Sequence, residues 1–203
     1  MRVVVPFATN DPKTRLSDRL NPAERREFSR AMLEDVLEAI RGVGGEIEVL
    51  ATAPLDIDAP VTVDDRPLAD AVNAALGLDS ESETAVVMAD LPLITVDVLE
   101  DLFGTPGDVV LAPGRGGGTN ALVSRHPDFR VDYHDGSFLK HRASAAELGS
   151  VAVVDSHRLA TDIDEAADLV ELLIHGEGRA AGWLRDAGFE LARTESRLGI
   201  ERE

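Results

Sequence analysis

Cysteine does not occur among the 203 residues. Its absence excludes disulfide frameworks, thiolate zinc sites, iron–sulfur clusters and cysteine nucleophiles together. Lysine is almost missing too: Lys13 and Lys140 are the only two among 20 basic residues. Long apolar runs are lacking, since Val3–Phe7 and Ala85–Ala89 are far too short to cross a bilayer. The N-terminus has no signal-peptide apolar region, so a soluble cytoplasmic protein is expected. Positive charge is in deficit: 38 acidic against 20 basic residues give a formal net charge of -18. Such a surface repels nucleic acid and anionic membranes.

An acidic surplus with scarce lysine fits proteins that stay hydrated in concentrated salt, where a Debye length of ~3 Å at 1 M screens self-repulsion. The chain reads as a halophile's cytoplasmic protein; full folding and activity in low salt would favour an ordinary acidic protein. The 44% hydrophobic and 29% charged content is that of a globular chain. One domain over residues 1–203 is the expectation at this length.

Short β-branched runs alternate with helical patterns, the signature of an α/β fold with a mostly parallel sheet covered on both faces. Strands are predicted at Val3–Phe7, Ile47–Ala51, Val61–Val63, Thr84–Ala89, Val109–Ala112, Ala121–Ser124 and Val151–Val154. Helices are predicted at Pro67–Leu78, Val96–Phe103, Ser137–Leu148 and Glu165–Ile174. A further helix starts at Asn21, which can cap it, with Pro22 in its first turn and Glu24 closing a capping box, and ends at Gly42. From Arg179 a short helix and an edge strand are expected.

Ligands of open α/β sheets bind beyond the carboxyl ends of the strands, so the loops following strands hold the candidates. After the first strand come Lys13, Arg15 and Arg19, cations suited to a triphosphate; a solvated polar loop is the plainer reading. Asp90 stands just past a hydrophobic strand and suits a divalent cation, magnesium rather than zinc in an oxygen-only setting; a turn residue is the alternative. The run Pro113-Gly114-Arg115-Gly116-Gly117-Gly118-Thr119 fails both dinucleotide and P-loop fingerprints. Its amides, with Thr119 and Arg115, could still converge on an anion; a flexible hairpin is the other option. Ser137 begins a helix whose free amides could hold a phosphate, with Lys140 one turn on. Asp162 and Asp164 share one face of an extended segment and could join Asp90 around one or two magnesium ions; helix capping is their plainer role. The five histidines show no metal-ligand spacing, and His126, His157 and His175 read as structural or surface residues.

The segment from Val5-Pro6-Phe7 to Asn10-Asp11-Pro12-Lys13, with ADLPL, APGRGGGTNAL, Ser137-Phe138-Leu139-Lys140-His141 and TDIDE, resembles the 2-phospholactate guanylyltransferase family of coenzyme F420 synthesis over nearly the whole chain. The resemblance implies a nucleotidyltransferase version of the doubly wound three-layer sandwich, joining 2-phospho-L-lactate to GMP from GTP with release of pyrophosphate. Some relatives use phosphoenolpyruvate or a phosphoglycerate. It further implies magnesium on Asp90, Asp162 and Asp164, and catalysis by these with Lys13. Pro6, Phe7, Ala8, Lys13 and Arg15 would hold GTP, with Asp65, Arg66 and Asn73 near the base. Arg115, Gly118, Thr119, His134, Gly136, Ser137 and Lys140 would receive the acceptor's phosphate. A homodimer is expected from the family. Competing readings are a molybdopterin guanylyltransferase or cytidylyltransferase of the same fold, a noncatalytic nucleotide-binding protein, and a sugar-phosphate-binding protein independent of metal.

Overall fold

Alternating burial is written into the first strand: Val3, Val5 and Phe7 face one apolar cluster while Val4 faces another. A strand buried on both faces needs helices on both sides. The computed structural model, which describes residues 1–77, 83–193 and 198–202, builds that arrangement around a seven-stranded sheet. The strands are β1 (Arg2–Phe7), β2 (Glu46–Ala51), β3 (Val61–Val63), β4 (Thr84–Val87), β5 (Val109–Pro113), β6 (Thr119–Ser124) and β7 (Val151–Val153). Their spatial order is β3-β2-β1-β4-β6-β5-β7. All pairings are parallel except that β6 runs antiparallel to both β4 and β5.

The helices are α1 (Pro22–Gly42), α2 (Leu68–Gly77), α3 (Val96–Gly104), α4 (Ser137–Leu148), α5 (His157–Ala160), α6 (Ala166–His175) and α7 (Arg179–Asp186). Leu33, Val36, Leu37 and Ile40 of α1 cover one sheet face together with Leu99 and Leu102 of α3. Ala71, Val72, Ala75 and Leu76 of α2 and Ala145 of α4 cover the other. Phe28, Ala31 and Met32 of α1 turn away from the sheet into a third cluster with α6, α7 and Phe189. Asn21 caps α1 as expected, accepting from the amides of Ala23 and Glu24 while Glu24 accepts from the Asn21 amide.

One expectation is corrected, and one of the two readings left open for the glycine-rich run is met. The C-terminal tail does not add an edge strand to the sheet; β8 (Phe189–Arg193) and β9 (Leu198–Arg202) pair antiparallel as a separate hairpin. The glycine-rich run connects antiparallel strands and is therefore a hairpin turn. The predicted end of α2 at Leu78 lies outside the described residues.

Candidate active site

The chain leaves β1 through a constrained loop. Asp11 and Lys13 take positive φ values of 41° and 53°, two of the three non-glycine residues to do so among those described. Such left-handed backbone costs of order 1–3 kcal/mol and persists where surroundings over-determine it. Arg25 of α1 supplies that restraint, being 5% exposed and donating to the carbonyls of Pro12 at 3.0 Å and Leu20 at 3.4 Å and to the Asp11 carboxylate. A short 3-10 turn at Thr14–Leu16, unforeseen in the sequence, buries Leu16 and completes the bend.

So placed, Lys13 Nζ donates to Asp90 Oδ2 at 2.7 Å and Asp164 Oδ1 at 2.5 Å. Asp90 follows β4, and the amide of Ile163 donates to the Asp90 carbonyl at 3.0 Å, drawing the Asp162–Asp164 segment across the sheet edge. Burial disfavours the charge on Lys13, but the two carboxylates outweigh it and hold its pKa above the ordinary lysine value. Asp162 accepts from Asn120 Nδ2 at 3.1 Å. Burial, followed by the charges of Asp90 and Asp164, pushes the Asp162 carboxyl above its usual range against that hydrogen bond. Three of the four proposed catalytic groups thus meet directly, and Asp162 joins through electrostatics.

The donor set fits a hard cation. Asp90 Oδ1 is buried and has no hydrogen-bond partner, a costly state for a carboxylate oxygen unless a ligand completes it. Oxygen donors from short carboxylates are what magnesium takes. Among the described residues, however, the oxygens of Asp90, Asp162 and Asp164 do not converge within 4.8 Å of one another. Lys13 occupies part of the space between Asp90 and Asp164, as its two short contacts require.

Beside this cluster opens a cavity of about 280 Å³. Pro6, Phe7, Ala8, Lys13 and Arg66, all singled out in the sequence, line it with Asp90 and Asp164. Ser29, Thr52 and Asp64 line it too and were not foreseen. Ser29 had no local signal, being a small polar residue in the apolar stripe of α1; its hydroxyl is buried without a partner. Asp64 carries a bidentate pair with Arg66 at 2.5–3.1 Å. Asp65 and Asn73 do not line the cavity. Asn73 instead clamps the backbone of Val131, donating to its carbonyl at 2.9 Å and accepting from its amide at 2.8 Å. Arg15 reaches Asp164 Oδ2 at 3.2 Å from an exposed position.

The glycine-rich turn adopts a self-closed form. The amides of Gly114 and Gly117 donate to the carbonyls of Gly118 and Gly114, and that of Arg115 donates to Ala160, so only part of the predicted amide cradle points outward. A Cβ at Gly114 would lie 2.5 Å from Asn120 Oδ1, so a side chain there would have to displace the carboxamide that donates to Leu159 and Asp162. Ser137 Oγ accepts from the Thr119 amide at 2.9 Å, and the Phe138 amide donates to Gly117, so the first turn of α4 is pinned to the glycine turn. Gly136 supplies the left-handed entry to α4 with φ of 71°.

His141 reinforces this joint. Its Nε2 accepts from the Asp132 amide at 2.8 Å, so its Nδ1 carries the proton and donates to Thr119 Oγ1 at 2.8 Å. Burial brings its pKa down to about 4, keeping the ring neutral. Of the other candidate groups, Lys140 pairs with Asp132, which also lies within hydrogen-bond distance of His134 Nδ1, and Arg115 pairs with Asp168.

A mostly parallel sheet with a carboxylate- and lysine-lined cleft at its carboxyl edge makes the protein an α/β fold with its candidate site where such sheets bind ligands. Its fold matches a nucleotidyl transferase from Methanothermobacter with a TM-score of 0.61 at 14% identity, covering 91% of this chain and 98% of that one. A Desulfovibrio desulfuricans protein assigned to the nucleotide-diphospho-sugar transferases gives 0.71 at 16% identity over 92% and 95% of the two chains. Residues 1–202 match the family model described as guanylyl transferase CofC like, and the chain belongs to that family. It is 59% identical to the 2-phospho-L-lactate guanylyltransferase of Halomicrobium mukohataei over the full length of both chains. The enzyme of the same name from Haloferax volcanii is 58% identical over 100% of this chain and 99% of its own.

Proposed function

We propose that the protein transfers GMP from GTP to 2-phospho-L-lactate, forming lactyl-2-diphospho-5'-guanosine for coenzyme F420 synthesis. The reading rests above all on Lys13, held by Asp90 and Asp164 at the mouth of the cavity formed by Pro6, Phe7 and Ala8. It is supported by full-length relatives at 59% and 58% identity that carry this activity in their names.

In the reaction, an oxygen of the acceptor phosphate attacks the α-phosphorus of GTP. The bond from that phosphorus to the β-phosphate bridging oxygen breaks, and pyrophosphate leaves with the electron pair. The acceptor is ionised at neutral pH, so no strong general base is needed; the obstacle is repulsion between two anions. Lys13 stays protonated and can pass from its carboxylates to the nucleotide phosphates. Asp90, Asp162 and Asp164 would hold magnesium, which when bound neutralises phosphate charge and aligns the in-line displacement. Phe7, Pro6 and Ala8 give the nucleoside an apolar wall, and Arg66 lies where it can reach it. The turn at Gly118–Thr119 and the start of α4 at Gly136–Ser137 form the acceptor side, with Arg115 and Lys140 as exchangeable cations. A cytoplasmic homodimer accompanies this reading.

The test is pyrophosphate release in concentrated potassium chloride with magnesium and GTP, comparing 2-phospholactate, phosphoenolpyruvate and no acceptor. Release that depends on 2-phospholactate, and on GTP rather than CTP or ATP, is expected. Release only with phosphoenolpyruvate would reassign the acceptor; release only with CTP, or none with any acceptor, would overturn the reading.

A further inference from the structure

His157 and His175 lie eighteen positions apart in the sequence, yet the fold sets their rings edge to face with centroids 5.3 Å apart. Between them stands Glu171, one turn before His175 on α6. Its Oε2 lies 3.3 Å from His157 Nε2 and 3.5 Å from His175 Nε2. These separations are longer than the about 2.7–2.9 Å of a charge-assisted hydrogen bond. They match the edge of a tetrahedron around a zinc-type ion, about 3.3–3.5 Å when metal–ligand bonds are about 2.0–2.1 Å. All three ligand atoms fall within 4.8 Å of one another, the one such group among the described residues.

We propose that His157, Glu171 and His175 bind a divalent transition metal of the zinc type and thereby clip α5 to α6. Two imidazoles and a carboxylate suit zinc, cobalt or nickel and do not suit magnesium, which takes oxygen donors. The three side chains are partly exposed, so the ion has an entry path and water can complete its coordination. The site is separate from the cleft but not indifferent to it. Only Thr161–Glu165 connect α5 to α6, and that stretch carries Asp162 and Asp164. A metal joining the two helices therefore closes a short loop around both carboxylates and restricts how far they can move.

The experiment titrates zinc chloride alone into the full-length protein in concentrated potassium chloride, by calorimetry, with cobalt(II) visible spectra reporting coordination geometry. One saturable equivalent and a tetrahedral cobalt spectrum are expected. His157→Ala and His175→Ala, both at partly exposed positions that folding tolerates, should each weaken zinc at least tenfold, while Asp90→Ala keeps wild-type zinc affinity. Millimolar magnesium should not displace the ion. Amide exchange across residues 161–165 should slow several-fold on zinc addition in the wild type and not in His157→Ala. No saturable zinc binding, binding unchanged in both histidine variants, or loss of binding in Asp90→Ala would overturn the site. Zinc bound with no change in exchange would overturn the clip.

Discussion

Lys13 Nζ and Asp164 Oδ1 stand 2.5 Å apart although 151 positions separate them in the chain. Asp90 joins from the middle of the sequence at 2.7 Å. The contact brings together the loop after β1, the loop after β4 and the segment before α6, which is why no local pattern reveals it.

Removing Asp90 should separate chemistry from folding. Asp90→Ala deletes one oxygen that lacks a partner and one that accepts from Lys13, whose ammonium keeps Asp164 as its partner, so the fold should survive, as an unchanged circular dichroism spectrum would show. Transfer should fall by about a hundred- to a thousandfold, the range for losing one preorganised electrostatic group. Turnover close to wild type would refute a role at the reacting centre.

Lys13→Met should act in opposite directions on metal and on turnover. Without the ammonium group the carboxylates repel each other, so the metal-free protein loses stability. The loss should be smaller than the about 3–5 kcal/mol of a fully buried broken pair, because the Asp90 and Asp164 side chains are 22% and 34% exposed. Magnesium should then bind more tightly and restore most of the melting temperature, while pyrophosphate release stays low. Isothermal titration and thermal melts beside the kinetic assay check all three.

The sequence exposes the large features of this molecule and conceals the joints. Helix α1 is legible because its capping box and apolar stripe are local, whereas α4 starts at Ser137 as expected without a side-chain cap. Asp90 and Lys13 stand out because they follow strands, and the Asp-Ile-Asp motif because alternate residues of an extended segment share a face. Asn73 does not reveal that it clamps Val131, nor His141 that it braces Thr119, because each partner comes from a distant element. His157 and His175 fall in the same class: their meeting depends on how four-residue α5 folds back against α6.

The acid limb of activity should report Asp162. Its carboxyl titrates above the usual range, chiefly through burial. A raised folded-state value means that its contribution to stability is present below the unfolded pKa and lost as pH rises through the folded one. The same ionisation gives the anion that a cation needs, so activity should rise over that interval. Asn120→Ala removes the N–H that favours the anion and should move the acid limb to higher pH. A limb that stays in place, or moves lower, would disconnect it from Asp162.

Salt should stabilise the fold itself. At a formal net charge of -18, lowering ionic strength from 1 M to 0.01 M lengthens the Debye length from about 3 Å to about 30 Å and exposes self-repulsion. The melting temperature should fall steadily across that series, and a flat response would mark an ordinary acidic protein.

The pairing of every cation around the cleft has its own thermodynamic meaning. Lys13, Arg15, Arg115 and Lys140 each rest on an aspartate, so nucleotide entry swaps one anionic partner for another. Anion binding by bare cations expels an ion atmosphere and weakens steeply as salt rises; a swap between partners leaves the tally of solvated ions nearly level. Affinity that scarcely responds to ionic strength suits an enzyme that must gather phosphorylated substrates onto a surface carrying a formal net charge of -18.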